Sequence, residues 1–516
     1  MKLKDILNDS FDRTPWEQKG YELPRYDIRT LRQKTHDAPT WLHFGPGNIF
    51  RAFPAAILND ALNTGQYDRG VIVATTHGYE SIDKIYDPYD NLCLYVSLHA
   101  DGSIEKKVIG SITEALRADE AHSDWQRLVE VITAPSLQMV SFTITEKGYH
   151  YDEDDLARGL MPQLAMGKVC LLLLQRYHAG ALPITLQSMD NCSHNGDVMR
   201  QAVLAYAQRW VKDGLVPQAF VDYLTDETKV SYPWSMIDKI TPRPHQKVKE
   251  LLQEDGFEDN DYIETRHGSF TAPFVNAEET QYLVCEDHYT NGRPPLELGG
   301  VRYTDRQTVD KVETMKVTTC LNPLHTAMAI FGCMLGFDLI STEIRDTDIR
   351  MLVQKIGYIE AMPVCEDPGV LNPYEFIGQF INRRLPNPFM PDMPQRIATD
   401  TSQKLPIRFG MTIRKYIERG LDLDNLQLIP LVYAAYARYL RGLDDNLEPF
   451  RPSDDPRLEE LQPLADKPAE LFSHADIFGV DLTKTPLYPR IVGYLEELNS
   501  GNGAVRRTLH KYALAR

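Results

Sequence analysis

The stretch that decides the fold is TWLHFGPGNIFRAFPAAILNDAL, residues 40–62. TWLHF (40–44) is a short apolar run that predicts a buried strand. A turn at Gly45 and Gly47 follows, and then a helical pattern. GVIVATT (70–76), rich in β-branched residues, predicts a second buried strand. Strand, glycine turn, helix and strand in this compass make a βαβ unit. Gly45 and Gly47 stand where a dinucleotide pyrophosphate meets backbone amides, and Gly47 lets the backbone approach the phosphates. The third glycine of the usual GxGxxG motif is replaced by Phe50. A tight turn without a ligand is the competing explanation. The position after the first strand favours a cofactor.

The residue that grips the adenosine ribose should follow the second strand, usually as an acid that accepts from the 2′-hydroxyl. Here Thr75, Thr76 and His77 follow, with no acid before Glu80 and no arginine to take a 2′-phosphate. NAD is expected, and NADP stays open.

Further strands are predicted in LQMVSFTITEKGY (137–149), ending at Glu146, and in LPITLQSMDN (182–191), ending at Asp190-Asn191. LYVSLHADGSIEKKVIGSI (94–112) predicts a hairpin turned at Asp101-Gly102. Residues up to Pro39 are polar and mixed, and predict an arm on the surface. Beyond the turn-rich TNGRPPLELGG (290–300) strand signals become scarce, and HTAMAIFGCML, IRMLVQKIGYIEAM and LVYAAYARYLRG show helical spacing. The expected architecture is α/β. A Rossmann-type doubly wound sheet with its N-terminal arm occupies residues 1–299, and a mainly helical domain occupies residues 300–516.

The 516 residues are 43% hydrophobic and 25% charged, ordinary for a globular protein. A net charge of −18 argues against nucleic acid and against an anionic membrane as partners. A small acidic substrate is not excluded, because it feels only its own pocket. The seven cysteines are scattered without a CxxC pair, which points to reduced thiols and a cytoplasmic protein and away from a zinc site. The N-terminus carries charges through any apolar region, and no segment predicts a membrane span.

KVTTCLNPLHTAMA (316–329) places a lysine, an asparagine and a histidine in an apolar segment. Metal-free oxidation of a hydroxyl needs a base. No Tyr-xxx-Lys pair and no zinc-type cysteine spacing occurs in the chain, which leaves lysine as the economical choice. Lysine serves as a base once burial disfavours its charged form. Glu313, three residues before Lys316, shares its helical face and offers a proton relay. Asn322 offers a hydrogen bond to a developing oxyanion, and His325 orients the same oxygen. The competing explanation is structural: Asn322 before Pro323 is a good helix cap. Leu324, Ala327, Met328, Phe331 and Leu335 form a core stripe, while His325 shares its side with the small Ala329 and Gly332.

These motifs resemble the long-chain polyol-specific dehydrogenases, the group that includes mannitol dehydrogenase and the hexuronate reductases. HFGPGNIFRA resembles the family's glycine turn, which also lacks the third glycine and carries the pair seen here as Arg51-Ala52. SFTITEKGY, SMDNCSHNG, PWSMIDKITP, LVCEDHYTNGRPPLELGGV and YAAYARYLRGLDD resemble further family segments in the same order. The resemblance runs over nearly all of the chain from about residue 40. It implies Lys316 as base, Asn191 and Asn322 as oxyanion donors, and His325 and the relay Glu313 beside them. Asp238 and Arg384 fall near substrate positions. Gly45, Gly47, Asn48, Ile49, Phe50, Arg51, Thr75 and Glu146 fall near the cofactor. The implied reaction is NAD-dependent, metal-independent reduction of D-fructuronate to D-mannonate and its reverse. Mannitol or tagaturonate oxidoreduction is the alternative within the family, and a non-catalytic NAD(H)-binding regulator the alternative outside it. The expected partner is a small sugar acid or polyol, and Arg384 or Arg408 is available for a carboxylate. Two departures stand out. The interval from Lys316 to Asn322 is one residue longer than the common family pattern, and Pro323 and Leu324 replace small residues.

Overall fold

The computed structural model describes residues 1–265 and 270–515. The chain forms two compact units, Met1–Leu98 with Ser103–Asp310, and His99–Gly102 with Lys311–Arg516.

The first unit is built on six parallel strands, numbered here within this sheet alone. They are β1 (Trp41–Phe44), β2 (Val71–Thr75), β3 (Ile112–Arg117), β4 (Met139–Phe142), β5 (Ile184–Ser188) and β6 (Val230–Ser231). The spatial order is β3-β2-β1-β4-β5-β6, and every pairing is parallel. This is the doubly wound dinucleotide-binding order, with its reversal between β1 and β4. The strands read as nearly unbroken apolar runs because both faces are covered. Leu42, Phe44, Ile72, Ala74, Val140 and Phe142 enter one core. Trp41, Val71, Val73 and Met139 enter the other.

Helix Ala165–His178 closes the first of these cores with Leu171–Leu174. Each such leucine contributes roughly 1.5–3 kcal/mol of burial. The helix ends on the buried Arg176, which donates to the carbonyls of Ile132, Ala134, Leu137, Leu182 and Pro183. Five neutral acceptors thus satisfy one guanidinium and tie the chain before β4 to the chain before β5.

Three sequence expectations change. The N-terminal arm is not a surface wrap: Trp16 is buried against Tyr21 and Phe257, and Tyr21–Glu22 pairs with Lys106 and Lys107. It extends the expected antiparallel hairpin, Cys93–Leu98 with Ile104–Ile109. The strand expected over 137–149 stops at Phe142. Beyond it the Ile144 and Thr145 amides turn to the Asp190 carboxylate, both at 2.9 Å, and Glu146–Tyr149 forms a tight helical turn. Residues 301–310 stay with the first unit, where Arg302–Thr304 pairs with Val284–Glu286.

The second unit is helical, with no strand among its described residues. Its centre is helix Leu428–Leu440, buried along its whole length and packed against Tyr488–Leu498. A buried carboxylate caps it from far away in sequence. Glu360 accepts from the amides of Gln427, Leu428 and Ile429 at 2.9, 2.6 and 2.8 Å, satisfying helix-start donors that lack partners of their own. Burial pushes the Glu360 carboxyl up to about 7, against the pull of those amides. No helix among the described residues is long and apolar enough to cross a membrane.

Candidate active site

In the first unit a cleft of about 520 Å³ opens at the carboxyl ends of β1, β2 and β4. Gly45, Pro46, Gly47, Asn48 and Ile49 line it from the turn after β1, Thr75 to Gly78 from the turn after β2, and Thr143 to Thr145 from the turn after β4. This is the crevice where doubly wound sheets take ligands. The two glycines have separate reasons. Gly45 sits at φ +111°, and a Cβ there would lie 2.2 Å from the Thr143 carbonyl oxygen. Gly47 has ordinary φ, and a Cβ there would meet nothing within 4 Å. Its bare backbone faces the open cleft, as close approach of a phosphate requires.

Not every expected cofactor residue reaches the cleft. Phe50 is buried and stacks on His43, ring centroids 4.2 Å apart. Arg51 is buried too; it donates to the Ala272 carbonyl, Asn48 Oδ1 and Thr271 Oγ1 at 2.7–2.8 Å. It therefore fixes the glycine turn from behind. Glu146 is exposed and lies outside the lining. Glu80 lines the cleft, and no lysine or arginine does among the described residues.

By its place in the sequence Asp190 only ends a strand. Its buried carboxylate accepts from Ile144, Thr145 and, at 2.7 Å, the Tyr149 hydroxyl. It thereby holds Thr145 at φ +63°, a backbone region unfavourable to a β-branched residue. Burial raises the Asp190 carboxyl, and these three donors pull it back. Asn191 follows in an exposed turn. The turn is organised by Asn195, which donates to the Asp190 and Ser235 carbonyls at 3.0 Å and accepts from the Ser235 amide at 2.9 Å. Asp238 is buried at the end of the strand Ser235–Asp238.

In the second unit Lys316 is buried and opens a wide π-type turn, Lys316–Cys320, continuous with helix Arg306–Met315. The Leu321 amide donates to the Lys316 carbonyl at 3.2 Å, a span of five residues. Such turns take up one extra residue within a helix. Leu321 then breaks the helical angles, and helix Asn322–Leu335 begins. Asn322 is not the side-chain cap that Asn-Pro suggests, since no side-chain cap bond forms. The Leu321 carbonyl accepts from the His325 amide at 3.0 Å and starts the helix instead. Glu313 is half-buried, three residues before Lys316.

His325 Nε2 is buried with no hydrogen-bond partner among the described residues. Burial, and then the positive charges of Arg408, Arg396, Arg384 and Lys404, push this imidazole down to about 3. It is neutral at any working pH. Arg384 is buried at the end of a second wide turn, Phe380–Arg384. Arg408 donates to the hydroxyl of Thr326, the residue after His325. Lys404 holds the Ile397 and Thr399 carbonyls. The lysine-histidine segment is thus flanked by cations from a region some sixty to ninety residues later in the chain, and only the fold brings them together.

The family model described as the mannitol dehydrogenase Rossmann domain matches residues 39–296. That described as the mannitol dehydrogenase C-terminal domain matches residues 308–498. The chain is 46% identical to the D-mannonate oxidoreductase of Thermotoga maritima, with 97% of each chain covered. It is 29% identical to the mannitol 2-dehydrogenase of Phaeosphaeria nodorum, over 92% of this chain and 81% of that one. Among solved structures, Pseudomonas fluorescens mannitol 2-dehydrogenase in a ternary complex with NAD and D-mannitol is 26% identical. It has a TM-score of 0.67, covering 95% of this chain and 96% of that one. A substrate-free D-sorbitol dehydrogenase, 24% identical with a TM-score of 0.80, covers 95% of this chain and 97% of that one and shares the fold.

Proposed function

The chain belongs to the mannitol dehydrogenase family, and from that premise we propose that it reduces D-fructuronate to D-mannonate, and the reverse, with NAD(H). The observation that carries the substrate class is the set of positive charges around His325 in the second unit. Arg396 in that set already pairs with Asp392; the carboxylate of a sugar acid would give Arg408 an anionic partner that a neutral polyol does not offer. The 46% identity to a D-mannonate oxidoreductase points the same way.

The cleft after β1, β2 and β4 would hold the dinucleotide. Its pyrophosphate would lie against Gly47, and its ribose near Thr75 and the Glu80 carboxylate. Glu80, with no lysine or arginine among the described lining residues, favours NAD over NADP. When bound, the reduced nicotinamide supplies the hydride for the carbonyl carbon. The protein's own residues manage the oxygen. Lys316 gives its ammonium proton to the forming alkoxide in reduction and removes the hydroxyl proton in oxidation. Asn322 donates to the oxyanion. The neutral His325 orients the oxygen through the otherwise unpartnered Nε2. Glu313 exchanges the lysine proton with solvent.

The test is NADH oxidation with D-fructuronate, D-tagaturonate and D-fructose in parallel. Fructuronate is expected to give the highest kcat/KM, and a preference for fructose overturns the assignment. Lys316→Ala is expected to lower kcat by roughly 10²–10⁴ while NADH still binds. Near-normal turnover of that variant at all pH values would remove Lys316 from the mechanism. Intact NADH binding without turnover of any of the three sugars by the unmodified protein would favour a regulatory role.

A further inference from the structure

We infer that Arg408 is the specificity-determining residue that seats the substrate carboxylate, with Thr326 fixing its direction. This assignment rests on the sugar-acid function proposed above. It comes from comparing Arg408 with three buried arginines, Arg176, Arg51 and Arg438. Arg176 reaches five carbonyls. Arg51 reaches one carbonyl and two side-chain oxygens. Arg438 reaches the carbonyls of Leu443 and Asp444 at 2.6 and 2.8 Å. Each of these is a structural tie. Among the described residues Arg408 reaches one neutral hydroxyl, that of Thr326, and pairs with no carboxylate.

A guanidinium has five N–H donors in a planar fork that matches a carboxylate. Half-buried with one neutral acceptor, Arg408 keeps most of that fork available to an arriving anion. Burial alone brings Arg408 down to about 10. Arg408 is nevertheless only half-buried, so a ligand can reach it. Its neighbours separate its role from theirs. Arg396 is engaged by Asp392 in an ion pair, and Lys404 is occupied by backbone carbonyls. Of the side chains acting on His325, Arg408 acts most strongly. Thr326 is fully buried beside His325 in the first turns of helix Asn322–Leu335. Arg408 is therefore tied to the element that carries the oxygen-orienting histidine.

The experiment compares wild type, Arg408→Gln and Arg408→Lys with D-fructuronate and with the neutral D-fructose. Thermal unfolding and NADH fluorescence serve as controls for folding. In Arg408→Gln the ratio of kcat/KM for fructuronate to that for fructose is expected to fall on the order of a hundredfold, mainly through KM. Arg408→Lys keeps the charge but not the fork and is expected to fall between; it carries the test should the glutamine variant not fold. A structural role would lower both substrates together and leave the ratio unchanged, which overturns the assignment while the proposed function stands. Absence of fructuronate turnover in wild type overturns both.

Discussion

The Leu321 amide is bonded to the Lys316 carbonyl at 3.2 Å across five residues, one more than an α-helix spans. The residue that lengthens the interval from Lys316 to Asn322 is thus absorbed as a wide turn that continues helix Arg306–Met315, before Leu321 breaks the helical angles and helix Asn322–Leu335 begins. Thr318 supports it by donating to the Thr314 carbonyl at 2.7 Å. Deleting Thr319 restores α-helical spacing and turns Asn322 and His325 by about 100° relative to Lys316. Turnover is expected to drop at least a hundredfold, on the scale of losing acid–base catalysis, while NADH affinity in the first unit is retained. Stopped-flow reduction together with NADH fluorescence titration checks this. Full activity of the deletion variant would mean that the relative phase of these side chains does not matter.

Asp190 gives a second prediction. Asparagine at this position offers one acceptor oxygen where the carboxylate serves Ile144, Thr145 and Tyr149, and its NH₂ opposes a backbone N–H. Asp190→Asn is expected to lose about 2–3 kcal/mol of stability and to release the Thr143–Thr145 wall of the cleft. KM for NADH should rise several-fold, with a smaller change in kcat. Thermal unfolding and NADH titration read both effects, and an unchanged NADH affinity would detach Asp190 from the cofactor site.

The sheet was legible because parallel strands covered on both faces are short apolar runs punctuated by glycine turns, as in TWLHFGPG and GVIVATT. The catalytic candidates were legible because Lys316, Asn322 and His325 lie within one segment. The wide turns were not, since Lys316–Cys320 and Phe380–Arg384 violate no helical propensity and differ from α-helix only in which carbonyl each amide meets. The staple from Asp190 to Ile144 and the cap from Glu360 to Leu428 were hidden for another reason. Both join a carboxylate to amides 46 and 68 residues away, and a local pattern carries no trace of that. The Asn322 cap failed because a backbone carbonyl, that of Leu321, started the helix in its place.

His43 sets an acid limit on the first unit. It is buried in β1 with both ring nitrogens bonded, to Ser141 Oγ at 2.6 Å and Thr143 Oγ1 at 2.9 Å. Burial pushes it down from 6.5 to about 3. Below pH 6.5 the unfolded chain takes up a proton that the folded chain refuses, so the stability present above pH 6.5 is lost as pH falls toward 3. At pH 5 the loss is about 2 kcal/mol. His43→Gln is expected to flatten this slope whatever it does to stability at pH 7. Urea unfolding of both proteins at pH 7 and pH 5 measures the difference, and parallel slopes would clear His43 of the effect.

Glu80 is expected to govern the choice of cofactor. It is the acidic side chain in a cleft lining that contains no lysine or arginine among the described residues, and it also pairs with Lys84. A carboxylate at the ribose accepts from a 2′-hydroxyl and repels a 2′-phosphate. The wild-type protein should therefore favour NADH over NADPH. In Glu80→Gln the repulsion is removed and Lys84 loses its ionic partner, leaving an ammonium beside the cleft. The NADH-to-NADPH ratio of kcat/KM is expected to fall about tenfold, equivalent to roughly 1.4 kcal/mol, chiefly by improved use of NADPH. Initial rates with the two cofactors at a fixed sugar-acid concentration decide it. If the ratio is the same in both proteins, Glu80 lies outside the ribose site and the preference must come from Thr75 to Gly78.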